Sequence, residues 1–318
     1  MTQSACQVIV TGVAGFVGSH LAERLIADGH EVLGIDCFTD YYARALKEAN
    51  VSSLLGSPRF RLVEADILDL DWSPLLAQAS HLFHQAAQAG VRGSWGDSFD
   101  VYVRNNVLAT QQLLEACKQA PALQGFIFAS SSSIYGDAAT FPTPEDTTPR
   151  PVSPYGVTKL ACEHLCQVYH HSFGVPVVTL RYFTAYGPRQ RPDMAFHKFI
   201  SAMLRDEAIT VYGDGEQTRD FTYVSDIVEA NILAMQPEHA GQVFNIGGGS
   251  RTSVNAVIDL LEGIVGKPAR RARASRQKGD ARHTSADVTR AHESLGYWPR
   301  VSMEEGLRRE VEWLVQRR

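Results

Sequence analysis

Tyr155 and Lys159 form the residue pair in this chain with the clearest capacity for proton transfer. The segment continues with a helical pattern from Leu160 to Tyr169, so a spacing of four places both side chains on one helix face, about one turn apart. A phenol with an ordinary pKa of ~10 is a poor base at neutral pH, but a neighbouring ammonium favours the phenolate. A solvated lysine beside a half-buried tyrosine is a common surface feature, so the pair alone leaves both interpretations open.

Four consecutive serines precede this pair, at the end of an apolar segment over 125–129 that predicts a strand. A serine at the end of a neighbouring strand can hydrogen-bond the same substrate oxygen as Tyr155. Serine also favours turns at strand ends without any chemical role. Ser131 is the candidate catalytic hydroxyl of this group, and Ser132 and Ser133 are candidate substrate contacts.

A glycine-rich turn follows the first predicted strand. Gln7 to Thr11 is a β-branched run typical of a buried parallel strand, and residues 19–28 have helical periodicity. Strand, glycine turn and helix in this order are what a dinucleotide site requires, although the spacing is Gly-x-x-Gly-x-x-Gly. The predicted cofactor contacts of this turn are Gly12, Gly15, Phe16, Val17 and Gly18.

The residues at the ends of the next strands indicate which dinucleotide binds. Asp36 ends the second predicted strand, eighteen residues after Gly18. A carboxylate there accepts both adenosine ribose hydroxyls and repels a 2′-phosphate, which favours NAD over NADP. An ordinary loop aspartate is the alternative interpretation. Asp66, followed by Ile67, ends the third strand and is placed to meet the adenine amine.

Two small residues, Ala86 and Ala87, follow the fourth predicted strand. They would let a cofactor lie close to the strand end. The predicted strands are 7–11, 31–35, 60–64, 81–84, 125–129 and 175–182, with Asp97 to Lys118 and Pro154 to His171 as the longest helices. This alternation predicts an α/β fold, a doubly wound parallel sheet of the Rossmann type.

The pattern changes after Phe183, where Gly, Pro, Arg and Asp interrupt it. We predict an NAD-binding domain over 1–183, to which a segment of about 224–265 returns with a strand at 243–246. A smaller mixed α/β domain for substrate is predicted from the interrupted segments 184–223 and 266–318.

Composition bounds the class of protein. The chain has 318 residues, 44% hydrophobic, and a net charge of −5, which argues against a nucleic-acid-binding surface. No apolar run approaches the ~18 residues that cross a bilayer, and the first residues do not resemble a signal peptide. Five scattered cysteines suit reduced thiols in a cytoplasmic protein. Cys162, Cys166 and His170 share a helix face, but we expect structural roles rather than a metal site.

Taken together, the motifs resemble the extended short-chain dehydrogenase/reductases, and among them the nucleotide-sugar epimerases and dehydratases. The resemblance runs nearly end to end. Its motifs include Thr11-Gly12-x-x-Gly15-x-x-Gly18, Asn106-Val107, Ser130 to Gly136, Tyr155-x-x-x-Lys159, Arg181 to Thr184, Tyr186-Gly187-Pro188, Tyr212 to Gly215, Arg219-Asp220-Phe221 and Asn245-Ile246-Gly247.

Three positions distinguish the chemistries within this family. The 4,6-dehydratases carry an Asp-Glu pair where this chain has Ser132 and Ser133. UDP-glucuronate decarboxylases place Glu at the position of Ser133 and usually Asn at that of Thr184, and UDP-glucose epimerases also keep that Asn. The segments 182–188, 191–194 and 90–95 resemble those of the UDP-glucuronic acid 4-epimerases.

The resemblance implies a mechanism. Tyr155 removes the proton of the sugar 4-hydroxyl while a hydride passes to NAD, Ser131 hydrogen-bonds the same oxygen, and Lys159 holds the nicotinamide ribose. The 4-ketone then turns over and takes the hydride back on its other face. Asn106 and Tyr182 match family positions near the nicotinamide.

The resemblance also assigns substrate contacts. Ser132, Ser133 and Thr184 would solvate the carboxylate of a 4-keto uronic acid, which otherwise loses carbon dioxide readily, and Arg191 could add a charge-assisted contact. Arg219 and Arg282 match positions near the diphosphate of a UDP-sugar.

A homodimer formed by the two long helices is also implied. Alternatives that stay open are a 4-epimerase of UDP-glucose or a UDP-N-acetylhexosamine, a UDP-glucuronate decarboxylase, and a non-enzymatic NAD-sensing relative.

Overall fold

The computed structural model describes residues 6–249 and 251–317. Five strands from the first half of the chain and two from the second half form a single sheet. In chain order the strands are β1 Gln7–Thr11, β2 Glu31–Asp36, β3 Phe60–Glu64, β4 Ala79–His84, β5 Gly125–Ser131, β6 Val177–Tyr182, β7 Thr184–Tyr186, β8 Ile209–Tyr212, β9 Thr218–Tyr223, β10 Val243–Ile246, β11 Arg251–Ser253 and β12 Arg271–Ala274.

The seven-stranded sheet has the order β10-β6-β5-β4-β1-β2-β3, and every neighbouring pair in it is parallel. The order reverses between β1 and β4, which is where parallel sheets of this kind bind ligands. The predicted doubly wound parallel sheet is confirmed, including the returning strand β10.

Ten α-helices lie in the described residues. They are α1 Phe16–Ala27, α2 Arg44–Val51, α3 Ser73–Leu76, α4 Phe99–Tyr102, α5 Ala109–Cys117, α6 Pro154–Phe173, α7 Ala195–Leu204, α8 Val224–Leu233, α9 Val254–Val265 and α10 Met303–Val315. None of these helices combines the length and apolar character that crossing a membrane requires.

Helices cover both faces of the sheet because its strands alternate their apolar side chains between two cores. Val8 and Val10 face one core with Leu21 of α1 and Ile227 of α8. Ile9 faces the other core, which contains residues of α5 and α6. Burial on both faces explains why β1 and β5 are nearly continuous apolar runs.

A smaller unit is built on two short sheets, with orders β11-β9-β7 and β12-β8. Its core joins α7, α9 and α10 through residues such as Phe196, Val257 and Leu307. Within the predicted returning segment of 224–265, α8 packs on α1 of the large sheet, whereas α9 packs in this smaller core. The exact domain division stays a prediction.

The long helix predicted from Asp97 to Lys118 is helical throughout but not regular. A 3₁₀ turn at Gly96–Ser98 leads into α4, and a π-helical segment at Val103–Leu108 separates α4 from α5. π-Helical turns change which carbonyl groups are free, and they are frequent near functional sites. The periodicity of the sequence did not predict this segment.

Candidate active site

A cleft of about 1120 Å³ opens along the carboxyl ends of the parallel strands and extends to the smaller unit. Most of the predicted site residues line it. They are Gly12, Gly15, Phe16, Val17, Gly18, Asp36, Asp66, Ile67, Ala86, Ala87, Ser131, Ser132, Ser133, Tyr155, Lys159, Tyr182, Thr184, Arg191 and Arg219.

The glycine turn is close-packed in a way that excludes side chains. Gly12 has a φ of +69°, and a Cβ there would lie 2.7 Å from the backbone nitrogen of Ala86. A Cβ on Gly18 would collide with the carbonyl oxygen of Gly12. Helix α1 therefore begins directly at the floor of the cleft, after Gly15, and presents its positive end to any bound anion.

Asp36 stands at the end of β2, where its carboxylate is oriented by the backbone. Its Oδ2 accepts a hydrogen bond from the nitrogen of Ala14 at 3.0 Å, and its Oδ1 accepts one from Phe38 at 2.8 Å. Burial raises the pKa of Asp36, and these two bonds and the nearby Lys47 oppose that shift. The carboxylate lines the cleft beside the glycine turn, as its predicted role requires.

Asp66 and Tyr182 also line the cleft with their polar atoms engaged. Asp66 Oδ1 accepts from the nitrogen of Leu68 at 2.9 Å, and Oδ2 pairs with Arg104 at 3.0 Å. The Tyr182 hydroxyl lies 3.0 Å from Asn231 Oδ1, and burial raises its pKa. Tyr182 therefore stays a neutral phenol at physiological pH.

Helix α6 carries Tyr155 and Lys159 into the cleft from its first turns. Ser153 caps the helix by accepting a hydrogen bond from the nitrogen of Gly156 at 3.1 Å. Lys159 is 3% exposed, and its Nζ donates to the carbonyl oxygen of Ala129 at 2.8 Å. The aromatic ring of Tyr102 packs edge-on against that of Tyr155, with centroids 6.3 Å apart.

The serine row ends β5 and turns immediately into a 3₁₀ helix at Ser132–Ile134. Ser131 Oγ accepts a hydrogen bond from the nitrogen of Ser133 at 3.1 Å and donates to Ser133 Oγ at 3.1 Å. Ser131 therefore caps the 3₁₀ helix and also lines the cleft, together with Ser132 and Ser133. A phenol, an ammonium and a hydroxyl line one cleft, which is a suitable set for moving a proton on a bound alcohol.

A buried polar network that was not predicted from the sequence lies directly behind these residues. Glu163, one turn after Lys159, accepts hydrogen bonds from Ser130 and from Arg181, whose Nη2 lies 2.8 Å from Oε2. Arg181 also donates to the hydroxyl of Tyr135 at 2.6 Å. The spacing Tyr155, Lys159, Glu163 places all three on one helix face, which is the signal that could have revealed it.

Asn106 was predicted to lie near the nicotinamide, but it lies behind the wall of the cleft. It is 1% exposed, and its amide bonds both backbone groups of Gln88 and the hydroxyl of Thr158. The π-helical turn leaves its carbonyl oxygen to accept a hydrogen bond from Cys162. Asn106 is thus placed to fix the loop after β4 against α6.

The remaining predicted contacts lie toward the smaller unit. Thr184, in β7, and Arg191 line the cleft, and Arg191 is paired with Asp193. Arg219 lines it as well, and burial lowers its pKa. Arg282 is outside the lining residues: its guanidinium pairs with Asp214 at 2.6 Å.

Cys162 and Cys166 are buried, and His170 Nδ1 lies 2.9 Å from the carbonyl oxygen of Val175. Over residues 6–249 and 251–317, no group of three or more His, Cys, Asp or Glu residues is arranged to hold a metal ion.

Comparison with known proteins agrees with this geometry. A family model described as the NAD dependent epimerase/dehydratase family matches residues 8–247. The chain belongs to this family. The match begins in β1 and ends just after β10, so it covers the whole parallel sheet and the residues that line the cleft from it.

Relatives within the NAD dependent epimerase/dehydratase family match almost the full chain. An uncharacterized UDP-glucose epimerase of Bacillus subtilis (strain 168), YtcB, is 45% identical over 310 residues, 97% of this chain and 98% of that protein. The UDP-glucuronate 4-epimerase of Thermodesulfobacterium geofontis (strain OPF15) is 38% identical over 310 residues, 96% of this chain and 95% of that protein.

A solved structure is also closely similar. The crystal structure of UDP-glucuronic acid 4-epimerase from Bacillus cereus, in complex with UDP-glucuronic acid and NAD, has 46% sequence identity and a TM-score of 0.95. The similarity covers 98% of this chain and 100% of that chain.

Proposed function

We propose that this protein is an NAD-dependent isomerase that interconverts UDP-glucuronic acid and UDP-galacturonic acid through a transient 4-ketone. The observation that carries the proposal is the joint lining of one cleft by Tyr155, Lys159, Ser131 and the glycine turn. The similarity to the Bacillus cereus enzyme, over nearly the full length of both chains, supports the choice of substrate.

The residues present fit NAD. Side chains at Gly12 and Gly18 would collide with the backbone of Ala86 and of Gly12, so only glycines allow this tight turn at the start of α1, and the positive end of α1 adds a favourable field for a pyrophosphate. Asp36 supplies a carboxylate for the adenosine ribose and would repel a 2′-phosphate. When bound, NAD would take a hydride from carbon 4 of the sugar and return it to the opposite face.

The chain's own groups move the proton. Tyr155 Oη takes the proton of the sugar 4-hydroxyl and later returns it, and Ser131 Oγ holds that oxygen in place. Lys159, fixed by its bond to Ala129 O, lies one turn after Tyr155 on α6, where an ammonium favours the phenolate. Tyr182 and Asn106 are proposed to orient the site, Tyr182 from the cleft wall and Asn106 from behind it.

The hydroxyl groups of Ser132, Ser133 and Thr184 protect the sugar carboxylate. A 4-keto uronic acid loses carbon dioxide when its carboxylate is stripped of hydrogen bonds, so donors at this position favour epimerisation over decarboxylation. Arg219 and Arg282 are proposed to meet the diphosphate. Since Arg282 is paired with Asp214, binding there would require the diphosphate to replace that carboxylate.

Incubation of the purified protein with UDP-glucuronic acid, followed by proton NMR of the sugar, tests the proposal. We expect UDP-galacturonic acid to accumulate until the two epimers reach equilibrium. Formation of a UDP-pentose would instead indicate a decarboxylase, and absence of any conversion with NAD present would exclude the proposed chemistry.

A neutral UDP-hexose is the second candidate substrate. It is favoured by the pairing of Arg191 with Asp193, which leaves little net charge to attract a sugar carboxylate, and by the name of the Bacillus subtilis relative. Comparable values of kcat/KM for UDP-glucose and UDP-glucuronic acid would support this candidate and remove the proposed role of Thr184.

We further propose that the protein acts as a homodimer in the cytoplasm. Large apolar side chains are exposed along the two long helical segments, among them Val103, Leu108, Val157 and Val168, which suits a helical interface. All five cysteines are free thiols, which suits a reducing compartment. Light scattering of the wild type and of Val157→Asp tests the dimer: we expect twice the chain mass and a monomer, respectively.

A further inference from the structure

The guanidinium of Arg191 is already paired with a carboxylate inside the cleft. Its Nε donates to Asp193 Oδ1 at 2.9 Å, and its Nη2 donates to Asp193 Oδ2 at 3.0 Å. Two parallel bonds of this kind form a charge-assisted pair with defined geometry. The positive charge of Arg191 is therefore largely cancelled at the place where a sugar carboxylate is expected.

A second group holds Asp193 from the opposite side of the cleft. The hydroxyl of Tyr41 donates to Asp193 Oδ2 at 3.2 Å, and the guanidinium carbon of Arg191 lies 5.9 Å from the centre of the Tyr41 ring. Tyr41 follows β2 of the large sheet, whereas Asp193 lies two residues before α7 of the smaller unit. The Tyr41–Asp193 bond thus joins the two walls.

Tyr41 is itself positioned by contacts that lead back to Tyr155. A Cβ on Gly90 would collide with the Tyr41 hydroxyl, so the two are closely packed. The hydroxyl of Tyr102 donates to the carbonyl oxygen of Gly90 at 2.8 Å, and the Tyr102 ring packs edge-on against that of Tyr155. A continuous series of contacts therefore connects Asp193 to the proposed base.

Asp193 is an anion in this arrangement. Burial alone would raise the pKa of Asp193, but the hydrogen bonds and the charge of Arg191 hold that pKa below its usual range. Several other cations also line the cleft, but the carboxylate paired with Arg191 is Asp193. Asp193 therefore determines how much positive charge Arg191 presents.

We propose that Asp193, held in place by the hydroxyl of Tyr41, sets the selectivity of the site between a carboxylate-bearing and a neutral hexose by cancelling the charge of Arg191. This inference rests on the proposed function. Asp193 acts on the sugar through Arg191 and is a positioning residue, and its effect appears mainly in the binding of the charged substrate. Removing its charge increases the preference for the uronic acid.

The test measures kcat and KM with UDP-glucuronic acid and with UDP-glucose for the wild type, Asp193→Asn and Tyr41→Phe. Asn keeps the size of the side chain and one acceptor oxygen but loses the charge. We expect the ratio of the two kcat/KM values to shift about tenfold toward UDP-glucuronic acid in Asp193→Asn, mainly through KM. Tyr41→Phe loosens Asp193 without removing its charge, so we expect a shift of about twofold in the same direction.

Two further variants separate charge from loop structure. Glu304→Gln removes the same charge from an exposed pair with Arg308 on α10 and should leave the ratio unchanged. In an Arg191→Met background, Asp193→Asn should have no further effect on the ratio, since the charge to be cancelled is gone.

A parallel loss of activity on both substrates in Asp193→Asn and Tyr41→Phe would overturn the inference, because it would indicate a structural role. A ratio that shifts toward UDP-glucose would also overturn it, since Asp193 would then be presenting Arg191 rather than cancelling its charge. Failure of the wild type to epimerise either sugar would instead refute the proposed function.

Discussion

The two ends of the cleft are stabilised by ion pairs that differ in burial. At the end that carries Tyr155, the Arg181–Glu163 pair is buried, with side chains 8% and 6% exposed. At the end toward the smaller unit, Arg92 and Asp280 are 45% and 25% exposed. A buried pair fixes geometry, whereas an exposed pair can exchange its partner for a charge on a ligand. Proton transfer therefore takes place at a rigid end of the cleft, near Tyr155. The charged substrate binds toward an adaptable end, near Arg92 and Asp280.

The largest effect should come from the rigid end, through Tyr155→Phe. We expect turnover to fall by about 10³-fold or more, because a phenyl ring cannot take the proton of the sugar hydroxyl. NAD content, measured by absorbance after denaturation, should not change. Tyr169→Phe on the same helix is the matched control, since its hydroxyl bonds Glu115 and Gln111 instead of lining the cleft. Retained activity in Tyr155→Phe would mean that another group is the base.

A direct comparison of the two ends comes from removing one carboxylate in each. Glu163→Gln leaves the buried guanidinium of Arg181 without its counter-charge and should lower the free energy of unfolding by about 3–5 kcal/mol. Asp280→Asn removes the exposed partner of Arg92 and should cost less than about 1 kcal/mol. Urea unfolding of both variants checks this difference. Equal losses would contradict the contrast between the two ends.

The rigid end should also lose stability in acid through His84. This side chain is buried between Thr11 and Thr110, and burial, followed by the charge of Lys159, lowers its pKa to about 3. Unfolding lets the imidazole protonate near pH 6.5, so its contribution is lost as the pH falls from about 6.5 toward 3. Between pH 6.5 and 5 the wild type should lose about 2 kcal/mol relative to His84→Gln, measured by urea unfolding.

The smaller unit contains a carboxylate with the opposite pH dependence. Burial raises the pKa of Asp220 to about 6, although the nitrogens of Gly248 and Ala286 donate to it. Its neutral form contributes fully below about pH 4, and that contribution is lost as the pH rises through about 6. The wild type should therefore lose stability relative to Asp220→Asn between pH 4 and 6.5, by at most about 3 kcal/mol. A difference that is constant with pH would contradict the assigned shift.

The smallest effect is expected at the adaptable end, for the proposed diphosphate contact. Arg282→Gln should raise KM for the UDP-sugar about threefold and leave kcat unchanged, because an exposed arginine contributes modest binding to substrate and transition state alike. The increase should shrink at high salt, as screening weakens exposed charges. Arg308→Gln on α10 is the control. An unchanged KM at low salt would mean that Arg282 does not contact the diphosphate.

The residues that line the cleft could be predicted from the sequence better than the contacts that hold them in place. Regular strands fix where their last residues lie, so Asp36 and the serine row could be placed from hydrophobic patterns and spacing alone. Tyr155 and Lys159 followed from helical periodicity. The cleft lining contains all of these residues.

The features that were missed depend on tertiary contacts between distant segments. Arg181 meets Glu163 because β6 lies beside β5 and α6 packs on them, and no local pattern contains that information. The Tyr41–Asp193 bond joins residues 152 positions apart in loops without periodicity. The burial of Asn106 behind Gln88, and the π-helical turn that contains it, could not be inferred from spacing.

The central claim is that Tyr155 and NAD transfer a proton and a hydride on one bound sugar without loss of the hydride. The most direct test uses UDP-glucuronic acid labelled with deuterium at carbon 4, in ordinary water, followed by NMR. We predict UDP-galacturonic acid that keeps its deuterium at carbon 4, with no UDP-pentose. Replacement of that deuterium by solvent hydrogen, or formation of labelled UDP-galacturonic acid by the Tyr155→Phe variant at the wild-type rate, would contradict the account.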